Sequence, residues 1–216
     1  MLFRSVQVYR KGDGGEIAAR AFRRVLPVAQ DRPIDKPGEV TTADWKTLAG
    51  TSKPSALVLW LSEKDLTNVK SATIATRPPM YFSPTLTAST SISGLSDRTY
   101  LTWPYRLPAT PAPQENRVRS WLLGRSVTSK TYERLQFNTW YTMSLLDYSM
   151  DCLVEDFSQE YLIETVEREA ESSSNPGVYQ RLSLGPGQHF ASKGAYIVKP
   201  TGRAGGVAAM SPWIVP

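Results

Sequence analysis

The chain has 216 residues, of which 41% are hydrophobic, so it can bury a sizeable core and is not a disordered protein. Its single cysteine, Cys152, excludes an internal disulfide and a cysteine zinc cluster, and no apolar run reaches the roughly 18 residues of a membrane span. The net charge of +5 comes from scattered Lys and Arg rather than from one basic stripe, so we expect no nucleic-acid partner.

The first predicted elements are a strand at Val6 to Tyr9 and a helix at Glu16 to Leu26, joined by a glycine-rich corner at Gly12 to Gly15. The corner lacks the third glycine of a dinucleotide fingerprint, because Ile17 stands in its place. It also lacks the lysine of a phosphate-binding loop. Two interpretations remain open, a plain turn and a direct ligand contact at the end of a parallel strand.

Strands and helices then alternate. A polar, proline-bearing loop is predicted as far as Gly38, and a short helix follows at Thr42 to Leu48, capped by Thr42. The continuous apolar run Ala56 to Leu61 is typical of a strand covered on both faces, as in a parallel sheet. Two more strands are predicted, at Met80 to Phe82 and at Thr99 to Trp103.

The proline-rich stretch Pro104 to Pro113 marks a linker, after which the pattern changes to helices. Three helices are predicted, at Glu115 to Leu123, at Thr131 to about Asp156 and at Ser158 to Glu171. The middle one is apolar nearly all round, so we expect it to be buried between other elements. The chain then ends in short strands.

This order of elements predicts an α/β fold, with a mainly parallel sheet flanked by helices and an added helical segment. We expect an α/β lobe at residues 1–108, a helical segment at 109–178 and C-terminal strands at 179–216 that return to the lobe.

Catalysis finds little support in the sequence, so we expect no enzyme, no cofactor and no metal site. His189 is the only histidine and lies in a glycine-rich turn, where a surface role is commoner than general base catalysis. The acidic residues near the last helix are spread around its solvent side. Cys152 lies on the long helix and is expected to be a small core residue.

Polar groups at the predicted strand ends are the better candidates for binding. Ser62 follows one strand, and Ser83 and Thr85 follow the next, so their hydroxyls either bond a ligand or cap the next helix. Tyr105 lies beside the proline-rich stretch, where aromatic rings either line a cleft or pack against the linker.

The pieces VQVYRKGDGGEIAARAF, ALVLWLSEKDL, MYFSPTL, TYLTWPYRLP, FNTWYTMSLLDYSM and YQRLSLGPGQHFASKGAYIVK together resemble the type I periplasmic binding proteins. More narrowly, they resemble the substrate-binding components of branched-chain amino-acid ABC transporters, over the later part of that family's length. The resemblance implies a ligand trapped by hinge closure between two lobes. It also implies a periplasmic location, whereas Met1 as the true start indicates the cytoplasm.

The resemblance implies ligand contacts around Asp13 and Gly14 and at Ser83 to Thr85, to which the strand-end reasoning adds Ser62 and Tyr105. The expected function is non-catalytic binding of a small polar ligand, such as an amino acid, for transport or sensing. The alternative is a protein-interaction or structural subunit without a small-molecule ligand. The resemblance also leaves an apolar helical face without cover, so a homo-oligomer or a partner chain is expected there.

Overall fold

The computed structural model describes residues 5–28, 30–50, 54–71, 78–92, 94–95, 97–108, 113–129, 132–154, 157–172, 179–180, 182–185, 192–202 and 206–215. The chain divides into two compact units. Unit 1 comprises Met1–Trp103 and Tyr196–Pro212, and unit 2 comprises Pro104–Ala195 and Trp213–Pro216. The predicted boundaries at residues 108 and 178 stay a prediction.

Unit 1 is built on one sheet, which has seven strands among the described residues, in the order β2-β1-β3-β4-β5-β6-β7. The strands are β1 Ser5–Arg10, β2 Gln30–Ile34, β3 Ala56–Trp60, β4 Met80–Phe82, β5 Thr99–Trp103, β6 Tyr196–Pro200 and β7 Val207–Ala209. The pairings from β2 through β5 are parallel, and β6 and β7 join antiparallel. The predicted α/β class with a mainly parallel sheet is therefore confirmed.

Helices connect the strands of unit 1 and form much of unit 2. In unit 1 they are α1 Gly14–Val25, α2 Thr42–Gly50, a 3-10 turn at Glu63–Asp65, α3 Thr67–Ser71 and α4 Ser89–Ile92. In unit 2 they are α5 Pro113–Gly124, α6 Glu133–Asp151 and α7 Gln159–Ser172. The core of unit 1 lies on the central strands, where Val8, Leu59 and Leu101 are fully buried, because a parallel sheet is covered on both faces.

The prediction of a loop as far as Gly38 was wrong, because Gln30–Ile34 forms the edge strand β2. This strand pairs in parallel with β1, and the backbone N–H of Lys11 donates to the Ile34 carbonyl at 2.9 Å. The sequence pattern did not predict this strand because QDRPI contains Pro33 and charged residues. Both are usual on an edge strand and unusual in a central one.

The cap of α2 is one residue earlier than predicted. The hydroxyl of Thr41, not that of Thr42, accepts the backbone N–H of Asp44 at 3.2 Å. The Asp44 carboxylate in turn accepts the backbone N–H of Thr41 at 2.9 Å. This reciprocal pair closes the helix start as a capping box does.

The long helix α6 is not buried all round, which corrects the prediction. One row of it is buried, namely Phe137, Tyr141, Leu145 and Ser149, whereas Leu135 and Met143 on the opposite side are 62% and 58% exposed. Cys152 caps the helix and is only partly buried, so it is not the core residue that was expected. Within the described residues, no helix combines the length and the apolar content needed to cross a bilayer.

Candidate functional site

The candidate site is the edge of the sheet where β1, β3 and β4 end. Because these strands run parallel, their carboxyl ends and the loops that follow them share one edge. Four of the predicted residues lie in these loops, namely Asp13, Ser62, Ser83 and Thr85, and Gly14 is the first residue of α1. The sixth, Tyr105, belongs to unit 2. The role of these six residues as ligand contacts stays a prediction.

The glycine corner after β1 is closed by its own carboxylates. The backbone N–H of Gly12 donates to Glu16 at 2.8 Å, and that of Gly15 donates to Asp13 Oδ1 at 2.7 Å. The bond from Gly12, and next the one from Arg20, lowers the pKa of Glu16 below its ordinary value. A phosphate would meet two carboxylates here, so the corner suits a cation better than an anion.

Asp13 retains a binding capacity beyond its role as the cap of α1. Its Oδ1 caps the helix by accepting from Gly15, and no hydrogen bond to its Oδ2 is found within the described part of the chain. A carboxylate can accept several hydrogen bonds through its two oxygens. Asp13 can therefore cap α1 and hold a cationic ligand group at the same time.

Two glycines of the corner bring α1 close to its neighbours. A Cβ at Gly15 would lie 2.4 Å from the carbonyl oxygen of Trp60, so only glycine lets α1 approach the end of β3 so closely. A Cβ at Gly14 would lie 3.8 Å from the Leu86 side chain. The corner therefore lies beside the loop that follows β4, which carries Ser83 and Thr85.

Ser62 is used mainly in the local structure after β3. Its hydroxyl donates to Asp65 Oδ2 at 2.9 Å, and its backbone N–H donates to the same oxygen at 3.1 Å. The buried Asp65 carboxylate also pairs with the guanidinium of Arg10. The hydrogen bond to Asp65 is the main reason that the pKa of Arg10 is raised. These hydrogen bonds support the alternative that Ser62 serves the start of the next helical turn.

Ser83 and Thr85 present hydroxyls at the end of β4. Their side-chain oxygens lie 2.7 Å apart, and the carbonyl of Ser83 accepts the backbone N–H of Thr87 at 3.0 Å. Thr87 is buried and donates its hydroxyl to the carbonyl of Leu61, which ties this loop to the end of β3. Thr85 is exposed and Ser83 is partly buried, so both hydroxyls are placed to reach a small molecule.

Tyr105 is buried within unit 2. Its ring packs against Tyr179 with centroids 5.6 Å apart, and the guanidinium of Arg134 lies 4.1 Å from its centroid. A cation over an aromatic face is favourable. Tyr105 therefore packs on residues of unit 2 outside the proline-rich linker, and its role as a ligand contact stays a prediction.

Two features of this region were missed by sequence reasoning. Gln7 is fully buried in β1, donates to Asp31 Oδ1 at 2.7 Å and accepts from the Trp60 indole at 3.1 Å. The other is the ion pair between Arg10 and Asp65. A polar residue inside the apolar run VQVY was a signal for the first, because buried polar groups need partners. The sequence contains no comparable indication of the ion pair between Arg10 and Asp65.

Metal-binding groups do not gather in the described part of the chain, where no cluster of three His, Cys, Asp or Glu side chains occurs. His189, the histidine weighed as a general base, lies outside the described residues.

The fold is shared with solved structures of ABC transporter components. One, a putative branched-chain amino acid ABC transporter from Rhodospirillum rubrum, is 14% identical, with 100% of this chain and 61% of that chain covered and a TM-score of 0.66. Another, a branched chain amino acid ABC transporter from Thermus thermophilus with bound valine, is 10% identical, with 99% and 61% covered and a TM-score of 0.67. A third is a solute binding protein from R. palustris in complex with benzoate, 18% identical, with 100% and 60% covered and a TM-score of 0.65.

These matches confirm the predicted type I periplasmic-binding fold. The chain spans about 60% of the length of these proteins, which agrees with a resemblance to only part of the family's length. No family model matches the sequence, and no curated protein matches it.

Proposed function

We propose that this chain is a non-catalytic solute-binding component, which binds a small polar ligand such as an amino acid at the carboxyl edge of its sheet. The observation that carries the proposal is the fold, which extends over the whole chain and is shared with proteins whose structures hold valine and benzoate. In open α/β sheets, ligands bind outside the carboxyl ends of the strands. A periplasmic location belongs to the proposal and is tested by cell fractionation.

The polar groups of this edge suit an α-amino acid. The Asp13 carboxylate offers its second oxygen to an ammonium group. Ser83 and Thr85 share one hydrogen bond between their hydroxyls, which leaves one O–H of the pair to donate to a carboxylate. Asp65 is not the counter-charge, because Arg10 already occupies it. The Asp13 carboxylate is therefore the group that selects a ligand with an ammonium.

The test is isothermal titration of the full chain with L-alanine, L-valine, L-leucine and L-asparagine, and with isovalerate, which is L-valine without its ammonium. We expect binding of at least one amino acid and weaker binding of isovalerate. The variant Asp13→Asn should retain the helix cap, since asparagine caps as well as aspartate, but lose about tenfold in affinity for the amino acid.

The matched control is Thr47→Ala, which removes a hydroxyl of α2 that bonds the carbonyl of Ala43 and lies away from the proposed site. It should leave affinity unchanged, whereas the double variant Ser83→Ala with Thr85→Ala should weaken it. Silence towards all five compounds would overturn the proposal of an amino-acid site.

A second candidate function is a protein-interaction or structural subunit without a small ligand. It is favoured by α6, which exposes Leu135, Met143 and Met150 on the side opposite its buried row. Exposed apolar side chains grouped on one helix face mark interaction surfaces. Sedimentation of the purified chain tests this candidate, because a monomer at all concentrations would contradict self-association.

A further inference from the structure

Unit 2 contains a cavity of its own, with a volume of about 400 Å³. Its apolar wall comes from α6, α7 and the segment 179–185, through Leu145, Val166, Leu182 and Leu184. Leu145 belongs to the small core of the unit together with Tyr141 and Ala170, and Val166, Leu182 and Leu184 pack against that core. Pockets for small molecules are commonly of this size and are lined mainly by apolar side chains.

The cavity has one polar end, at Asn138 and Tyr179. Burial, the main cause, raises the pKa of Tyr179, and a hydrogen bond with the Asn138 side chain opposes that shift. The amide oxygen Oδ1 of Asn138 is buried and has no hydrogen-bond partner among the described residues. A buried acceptor without a donor is unfavourable in proteins, so this oxygen is where a ligand donor would be bound.

The lining also decides the charge of the ligand. None of the described residues that line the cavity is Asp, Glu, Lys or Arg, and Arg134 interacts electrostatically with Tyr179 from outside the lining. An ammonium or carboxylate in the cavity would therefore lose its hydration without touching a counter-charge. A carboxylate would in addition face the Asn138 oxygen, which only accepts hydrogen bonds.

We propose that this cavity binds a neutral molecule with an apolar body and a single hydroxyl, a phenol or an alcohol, whose O–H donates to Asn138 Oδ1. The apolar body lies against Leu145, Leu182 and Leu184. The exposed Thr142 is one of the lining residues, so the cavity opens to solvent and the ligand can enter. All the lining residues belong to unit 2, and the existence of this site does not rest on the function proposed for unit 1.

The test compares p-cresol with toluene, which has the same apolar body but no hydroxyl. Titration of the full chain, followed by NMR of ¹³C-labelled leucine methyl groups, should shift the signals of Leu145, Leu182 and Leu184. The signal of Leu135, on the exposed side of α6, should not move. Loss of one hydrogen bond should make toluene bind roughly fivefold more weakly than p-cresol.

A variant isolates the hydrogen bond. Asn138→Leu keeps a similar volume but removes the acceptor, so p-cresol should lose its advantage over toluene, while Thr139→Val on the exposed side should keep it. If Asn138→Leu does not fold, the comparison of p-cresol with toluene in the unaltered chain still tests the proposed hydrogen bond. The proposal is overturned if the cavity leucines do not shift up to the solubility limit of p-cresol, or if toluene binds equally well.

Discussion

At the scale of single residues, Gly15 is the position where the corner tolerates least change. A Cβ there would lie 2.4 Å from the Trp60 carbonyl and 2.9 Å from Asp13 Oδ1, so Gly15→Ala must push α1 away from β3. We expect a loss of about 1–3 kcal/mol in the free energy of unfolding, measured by urea denaturation. Gly14→Ala is the matched control, because its Cβ makes only an ordinary contact at 3.8 Å, and equal losses in both variants would contradict the packing argument.

The ion pair of Asp65 and Arg10 gives a second prediction at this scale. Asp65→Asn leaves the guanidinium without its carboxylate at a site where the Asp65 side chain is fully buried, so we expect a loss of about 3 kcal/mol in unfolding free energy. Adding Arg10→Met removes the unpaired cation, so the double variant should be more stable than Asp65→Asn alone. Strictly additive losses in a double-mutant cycle would show that the two groups do not depend on one another.

At the scale of elements, the start of α1 gives a pH dependence. The pKa of Glu16 is lowered from its ordinary 4.5, first by the Gly12 N–H and next by Arg20. A lowered carboxyl pKa contributes stability that is present above the unfolded pKa and is lost as the pH falls through the folded one. Glu16→Gln should therefore be less stable than the unaltered chain near neutral pH, and the difference should shrink below about pH 4.5.

Thermal unfolding from about pH 6 to pH 3 measures this difference. The control is Arg20→Gln, which should retain more of the pH dependence than Glu16→Gln, because the bond from Gly12 is the larger cause of the lowered pKa. A constant difference between Glu16→Gln and the unaltered chain over that range would refute the assignment.

Elements differ in how well sequence pattern predicts them. The apolar run at β3 was predicted within one residue of its end, because burial on both faces leaves a continuous signal. The edge strand β2 was missed, because an edge strand needs neither an apolar run nor an N–H at Pro33. The row of α6 that is buried was also beyond prediction, because a helix apolar on several sides does not show which side its neighbours will cover.

At the scale of the whole molecule, the exposed side of α6 predicts self-association. We expect the purified chain to sediment as more than a monomer, because Leu135 and Met143 are exposed on one helix face. The double variant Leu135→Lys with Met143→Lys should sediment as a monomer. Asp147→Lys, which changes the net charge by the same amount on the same helix, should remain associated, and dissociation of both variants would assign the effect to charge alone.

The sequence by itself determined the alternation of strands and helices, the parallel sheet and the absence of a disulfide, because these follow from local apolar periodicity and from a count of cysteines. Only the tertiary structure decided how the polar residues of the sheet edge are used. Asp13 caps α1 and Ser62 bonds Asp65, while Tyr105 packs in unit 2. The reason is physical: a side chain's hydrogen bonds depend on which groups the fold brings within about 3 Å of it, and residues such as Arg10 and Asp65 are far apart along the chain.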